Sequence, residues 1–373
     1  MKQPYINRKK PEKEPIKKRP PFLVMGVRIC LRLCLCLCLC LCPTAGLAGC
    51  VKSGESAGDG RQEEERLTVV ATLFPQYDFA RQIAGEYAQV VLLLPPGTES
   101  HSYDLRPADM ITIKQCDMFI YTGKYMETWA QNIIDSLDGS VAVVDASEGI
   151  SLVREEDYGV DGHTHDDGQE DGHDDEHDDE QGDRHDVGGA KHRHEYDPHI
   201  WTNPVYAAQM AENIAEALCA ADPIHAAQYR ENAEKYCAEL KELDAAFREV
   251  AEAAKEAGQN TIYFGGRFAM TYFVREYGFD CVSAYHDCSA ESEPSIGSVM
   301  KLIDEIKEHG AKAVYYEELV DPKVARTIAQ ETGTRLILLH SAHNVTKKEF
   351  EDGVAYLDIM WQNVANLKEG LCE

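Results

Sequence analysis

Two familiar enzyme motifs are missing from this sequence of 373 residues, and basic residues are scarce in it. There is no HExxH metalloprotease helix and no Walker A phosphate loop, so these routes of catalysis have little support. Only 37 Lys and Arg stand against 65 Asp and Glu, and the formal net charge is -28. A negative field repels phosphate backbones and attracts cations. Nucleic acid is therefore not an expected partner, whereas a metal cation is.

No two of the 13 cysteines have CxxC spacing, so a cysteine zinc site is not expected. Six are scattered along the chain, at Cys116, Cys219, Cys237, Cys281, Cys288 and Cys372. Cys281 and Cys288 suit a disulfide in an exported protein, with buried free thiols as the alternative. The other seven lie within or directly after an apolar run near the start of the chain.

That apolar run predicts an export signal. Residues 1–21 are basic and rich in proline, residues 22–42 are apolar, and a run of small residues leads to Cys50. This order is typical of a secretory signal, and Leu47-Ala48-Gly49-Cys50 resembles a bacterial lipobox. We expect residues 1–49 to be a signal peptide and Cys50 to carry a lipid that anchors the protein to the outer face of the cell membrane. Residues 50–66 then form a flexible tether. An uncleaved transmembrane anchor is the alternative.

Strand and helix patterns alternate after the tether and predict two α/β lobes, residues 67–153 and residues 258–373. Such alternation indicates a mostly parallel sheet flanked by helices in each lobe. Between the lobes, residues 224–255 have apolar side chains at helical spacing. They predict one helix of about 45 Å, at 1.5 Å per residue, that joins the lobes as a stiff spine. A cleft between two such lobes is a favoured place for a ligand.

Histidine and acidic residues crowd the stretch before this helix. Residues 154–196 are interpreted as a disordered loop. It carries seven histidines among many Asp and Glu: His163, His165, His173, His177, His185, His192 and His194. Imidazole and carboxylate bind borderline metal ions, so the loop is interpreted as an auxiliary metal-binding tract rather than a solvated linker. It ends at Asp197-Pro198-His199-Ile200-Trp201, which opens the segment 197–257 that holds the connecting helices.

Several motifs together resemble the solute-binding lipoproteins of bacterial zinc and manganese ABC importers, the cluster A-I or ZnuA-like group. The motifs are Pro96-Gly97 through His101-Ser102-Tyr103, Asp117 to Gly123 with Glu127 and Trp129, Asp197 to Trp201 with Asn203-Pro204, and Asp222-Pro223 with Tyr229, Asn232 and Ala233. The match extends over residues 67–371. It implies a monomeric receptor that binds one metal ion between its lobes and delivers it to an ABC permease and its ATPase subunit.

The resemblance also implies four ligand places. The first two fall on His101 and His199, and the fourth falls on His340. The third falls on Arg267, whose guanidinium is always protonated and offers a metal no lone pair. The coordination number therefore stays open.

Other side chains could complete the set. His286 and His343 are possible additional ligands, and Glu99 and Glu318 are outside candidates. Asp197 is expected to contact the His199 side chain and orient it as a metal ligand without binding the ion itself.

The expected function is that of an extracytoplasmic receptor for Zn(II), because ligation by nitrogen alone favours Zn(II) over Mn(II). A Mn(II) receptor of the same family is the alternative. From another class, a zinc-dependent extracellular hydrolase with three histidines and a water would use the same ligands. An adhesin or surface metal buffer without a transporter would share the fold.

Overall fold

The computed structural model describes residues 66–100, 103–154, 195–285 and 294–373. Two four-stranded sheets, in which the paired strands run parallel, form the frame of these residues. The first sheet has the order β2-β1-β3-β4, with strands β1 (Leu67–Ala71), β2 (Ala88–Leu92), β3 (Met118–Tyr121) and β4 (Ala142–Asp145). The second has the order β6-β5-β7-β8, with strands β5 (Thr261–Phe264), β6 (Asp280–Ser283), β7 (Ala313–Tyr316) and β8 (Arg335–Leu338).

Helices surround each sheet. The first lobe contains α1 (Phe74–Ala84), α2 (Pro107–Gln115) and α3 (Ala130–Ile134). A short 3-10 turn (Ile200–Thr202), α4 (Pro204–Ala221) and α5 (Ala226–Glu256) connect the lobes. The second lobe contains α6 (Thr271–Tyr277), α7 (Ile296–His309), α8 (Lys323–Thr332), α9 (Lys347–Asp352), α10 (Tyr356–Leu367) and a π-helical turn (Lys368–Cys372). None of the described helices combines the length and apolar character needed to cross a membrane.

The central strands are apolar on both faces because helices cover both faces. Met118, Phe119 and Ile120 of β3 are all fully buried, although neighbouring side chains of a strand point in opposite directions. Near-continuous apolar runs of this kind are typical of parallel sheets inside α/β lobes. The predicted fold class is confirmed.

Helix α5 is the predicted spine and has 31 residues, or about 46 Å at 1.5 Å per residue. Its buried side chains, among them Tyr236, Leu240, Leu243 and Phe247, recur at intervals of three or four residues. They belong to a hydrophobic core that runs without interruption from β1 to β8. The two lobes therefore share one core along the connecting helices.

Single residues set several ends of these elements. Strand β1 ends at Ala71, and α1 begins at Phe74 with Pro75 in its first turn. Helix α9 ends at Gly353, whose φ of 77° is left-handed, so α9 and α10 are separate helices. Between β3 and β4 the α-helix comprises Ala130–Ile134.

Candidate metal centre

A small cavity lies where the carboxyl ends of β5, β7 and β8 face the loop that follows β2. Its volume is ≈ 30 Å³, which is enough for at least one water molecule. The lining comprises Glu99, His199, Phe264, Arg267, Ala269, Met270, Glu317, Glu318, Leu319, Leu339, Ser341 and His343. Ligands of parallel α/β sheets bind beyond the carboxyl ends of the strands, and this cavity has that position.

His199 reaches the cavity from the turn before α4. Asp197 holds it twice, because one carboxylate oxygen, Oδ1, accepts from the backbone N–H of His199 at 2.8 Å and lies 2.7 Å from its Nδ1. An Asp that accepts from the backbone two residues ahead is a common local turn. The predicted contact between Asp197 and His199 is confirmed.

Asp197 sets the protonation of this imidazole. Burial alone would raise the pKa of Asp197, but the attraction of His199 and its hydrogen bonds outweigh burial and lower the pKa to about 2. The side chain is therefore a carboxylate at neutral pH and can only accept. The proton of a neutral His199 then sits on Nδ1, which leaves the lone pair on Nε2 for a metal ion.

His343 repeats this arrangement in the second lobe. Its Nδ1 lies 3.1 Å from Oε1 of Glu318 and 3.0 Å from Oγ of Ser341. Burial would raise the pKa of Glu318, but His340, His343 and a hydrogen bond from Ser341 hold it well below the usual range. In turn, burial would lower the pKa of His343, and the Glu318 carboxylate overrides this effect and raises it. When a neutral His343 donates its Nδ1–H to the Glu318 carboxylate, its Nε2 carries the lone pair that can bind a metal ion.

His340 is placed differently. It is 5% exposed and does not line the cavity. Its Nδ1 accepts from the backbone N–H of Ala342 at 2.9 Å, so a neutral His340 carries its proton on Nε2. That Nε2 is buried and has no hydrogen-bond partner among the described residues. Of the two histidines that follow β8, His343 lines the cavity together with His199, and His340 does not.

Two residues with a left-handed backbone lie next to the cavity, one in the loop after β7 and one in the loop after β8. Leu319 follows Glu318 and has a φ of 62°, and Ala342 precedes His343 and has a φ of 60°. A left-handed backbone at a residue other than glycine costs on the order of 1–3 kcal/mol and is concentrated at functional sites. Ala342 lies between His340 and His343, whose Nδ1 atoms are 3.5 and 3.1 Å from the same oxygen, Oε1 of Glu318.

The segment before α4 is bonded to the segment after β8. Nε1 of Trp201 donates to the carbonyl of Ser341 at 2.9 Å, and the hydroxyl of Tyr356 donates to the carbonyl of Trp201 at 2.6 Å. Trp201 is fully buried. His199 and His343 are thereby held in a fixed relation through their neighbours.

Arg267 also lines the cavity, at the place where the resemblance implies a third ligand. Its guanidinium contacts Glu99 at 3.2 Å and Glu317 at 3.3 Å. The outside candidates Glu99 and Glu318 are thus both at the cavity, and each has a partner there: Arg267 for Glu99, and His343 with Ser341 for Glu318.

Several predicted positions lie outside the described residues. They are Cys50, Cys288, His101, His286 and the auxiliary histidines His163, His165, His173, His177, His185, His192 and His194. Within the described ranges, no three His, Cys, Asp or Glu side chains are grouped as a metal site. Cys281 is buried, and burial raises the pKa of its thiol.

Two parallel-sheet lobes around a histidine-lined cleft define a solute-binding protein of the kind that serves metal ABC transporters. A family model described as ZnuA, zinc-uptake complex component A, periplasmic, matches residues 69–370. The chain belongs to this family, which is a family of receptors and not of enzymes.

Known proteins resemble the chain over most of its length. The high-affinity zinc uptake system protein ZnuA of Bacillus subtilis is 33% identical over 326 residues, 87% of this chain and 93% of that protein. The zinc-binding lipoprotein AdcA of Streptococcus pneumoniae is 30% identical over 309 residues, 83% of this chain, but the chain spans only 56% of AdcA. The solved Zn(II)-bound ZnuA-like domain of Streptococcus pneumoniae AdcA has a TM-score of 0.63 and 27% identity, and the match covers 83% of this chain and all of that domain.

Sequence reasoning missed Glu317 and Asn344. Glu317 contacts Arg267, and Asn344 is fully buried next to His343. The adjacent pair Glu317-Glu318 directly after an apolar strand was a signal, since two acidic residues at the end of a buried strand need partners. Asn344 had no comparable signal.

Proposed function

We propose that this protein is the extracytoplasmic receptor of a zinc importer. It binds Zn(II) in the cavity between its lobes and delivers the ion to a membrane permease driven by an ATPase subunit. One observation carries the proposal: the buried imidazole of His199 and the partly buried imidazole of His343 line one cavity, and each has its Nδ1 against a buried carboxylate. Pairs of carboxylate and histidine are the usual support of zinc ligands.

His199 and His343 are the ligands that we assign among the described residues. His101, which lies outside them, is the ligand that we propose from the first lobe. Three neutral imidazoles with an open fourth position suit Zn(II), whereas Mn(II) takes more oxygen ligands. His340 accepts a hydrogen bond from the backbone N–H of Ala342 and so stabilises the loop after β8, and it does not bind the ion.

Release follows from where the ligands reside. The ion is held by His101 in the first lobe and His343 in the second, so a small shift of one lobe breaks the coordination. The shared core along α5 opposes a wide hinge motion. The permease therefore needs to separate the lobes only slightly to take the ion.

Export and anchoring complete the proposal. The relative AdcA is named a lipoprotein, which supports export, and we place the lipid on Cys50. The receptor acts as a monomer, and the His-rich loop collects metal ions.

Zinc titration of single variants tests the ligand assignment. We expect His199→Ala and His343→Ala each to weaken Zn(II) binding by at least about 100-fold, more than the loss of an outer-shell partner. His340→Ala should retain tight binding, and His225→Ala is the control, because His225 contacts Asp222 and Tyr87 away from the cavity. Competition between Zn(II) and Mn(II) identifies the cargo. If His340→Ala lost tight Zn(II) binding and His343→Ala retained it, the assignment of these two histidines would be reversed. If both variants bound Zn(II) as tightly as the unmodified protein, neither histidine would be a ligand.

A further inference from the structure

The Arg267 side chain connects the two lobes across the metal cavity. Its Nη2 lies 3.2 Å from Oε2 of Glu99, which belongs to the loop after β2. Its Nε and its backbone N–H lie 3.3 and 3.2 Å from Oε1 of Glu317, which follows β7. The Arg267 side chain is 14% exposed, so solvent screens these contacts less than it screens surface ion pairs. One cation thus joins a carboxylate of each lobe.

The turn before Arg267 is shaped for this contact. A Cβ atom on Gly266 would lie 1.6 Å from Oε2 of Glu317, and a Cβ on Gly265 would lie 2.6 Å from Cα of Ala325. Any side chain at Gly266 would therefore displace the Glu317 carboxylate. The pair depends on a glycine that gives the carboxylate room, which is a feature of a built arrangement.

The contact to Glu99 extends a set of bonds that hold the loop after β2. The Nδ2 of Asn344 donates to the carbonyls of Pro95 and Thr98 at 3.0 and 2.8 Å, and the N–H of Gly97 donates to the carbonyl of Val345 at 2.7 Å. These bonds fix residues 95–98. Arg267 holds the next residue, Glu99, which precedes His101 by two positions.

We propose that Arg267 is a positioning residue that latches the first-lobe ligand loop to the second lobe and slows the release of Zn(II). The proposal rests on the proposed function. Arg267 does not bind the ion. It keeps Glu99, and with it the start of the segment that carries His101, against Glu317 while the ion is held. A planar guanidinium suits this task because it offers donors in several directions to two carboxylates at once.

A latch and a purely electrostatic effect of the two charges predict different changes in Zn(II) binding when either charge is removed. If Arg267 and Glu99 acted only through their charge, removing the cation would strengthen Zn(II) binding and removing the anion would weaken it. If they act as a latch, either substitution frees the same loop. Arg267→Gln and Glu99→Gln should then both speed release, and the double variant should be no faster than the faster single variant.

The test measures the rate at which zinc-loaded protein loses Zn(II) to an excess of chelator in a stopped-flow instrument. We expect roughly a tenfold faster release for Arg267→Gln and for Glu99→Gln, since the pair lies between an exposed and a fully buried one. Arg267→Lys keeps the charge without the planar fork and should release at an intermediate rate. Arg326→Gln is the matched control, because Arg326 pairs with the exposed Asp321 in the same lobe.

Four outcomes decide the matter. Faster release in both single variants, with zinc-free melting temperatures near that of the unmodified protein, supports the latch. Slower release in Arg267→Gln, or unchanged release in Glu99→Gln, overturns it. Glu99 lies on a loop and its side chain is 25% exposed, so Glu99→Gln should fold. Its release rate therefore tests the latch even if Arg267→Gln does not fold. Failure of the unmodified protein to bind Zn(II) would instead refute the proposed function.

Discussion

Replacing Asp197 with Asn tests how much the carboxylate behind His199 contributes. The substitution keeps shape and an acceptor oxygen but removes the charge that places the proton on Nδ1. The pKa of Asp197 is about 2 in the fold against an ordinary 3.8. At about 1.4 kcal/mol for each pH unit, the charge stabilises the folded protein by roughly 2 kcal/mol. Because the folded pKa is the lower one, this stabilisation is present above pH 3.8 and is lost as the pH falls through about 2.

Zinc affinity should fall as well. The Asp197 carboxylate makes His199 a stronger base and fixes its ring, and loss of such a partner costs about 10- to 100-fold in metal affinity. Competition with a chromogenic chelator at neutral pH and constant ionic strength measures this change. Urea denaturation of the zinc-free variant measures the loss of stability separately.

A matched pair elsewhere provides the control. Asp222 lies 2.6 Å from Nδ1 of His225, between α4 and α5 and away from the cavity. Asp222→Asn should therefore leave zinc affinity unchanged. If Asp197→Asn binds Zn(II) as tightly as the unmodified protein, or if Asp222→Asn weakens binding equally, the role given to Asp197 is refuted.

Three further predictions concern stability and the His-rich loop. Burial raises the pKa of Glu127 to about 7, despite hydrogen bonds from Thr72, Thr122 and Gly123. With respect to this group, the zinc-free protein should therefore be most stable below pH 4.5 and lose about 3 kcal/mol as the pH rises from 4.5 through about 7. Chemical denaturation at several pH values should show that Glu127→Gln removes this loss. Asn344→Ala should lower the free energy of unfolding by about 2 kcal/mol, because it removes the Nδ2 donor of a fully buried side chain from the partly buried carbonyls of Pro95 and Thr98; an unchanged urea midpoint would contradict this. Excision of residues 162–194 should leave one tight zinc site and remove weaker ones in a metal titration, and loss of the tight site would show that the loop belongs to it.

The fold was accessible from the sequence because its signals are local. The buried β3 and β7 appear as short apolar runs between polar residues, and the long amphipathic pattern of α5 has no other interpretation. The contact of Asp197 with His199 was also accessible, since it closes a turn between residues two apart.

Which of the two histidines after β8 lines the cavity was not accessible from the sequence for a physical reason. The left-handed backbone of Ala342 lies between them. Alanine rarely adopts that conformation, so no local preference predicts it. The contact of Arg267 with Glu99 joins residues 168 positions apart, and a single sequence holds no trace of such a pair.

The shared core along α5 has a consequence for how the protein folds and how it can be divided. Leu240, Leu243 and Phe247 of α5 belong to the core that the two lobes share, and each such side chain contributes about 1.5–3 kcal/mol when buried. We therefore expect neither lobe to fold alone. Calorimetry should show one cooperative transition for both sheets, and a chain cut between them should yield fragments that aggregate rather than two working halves.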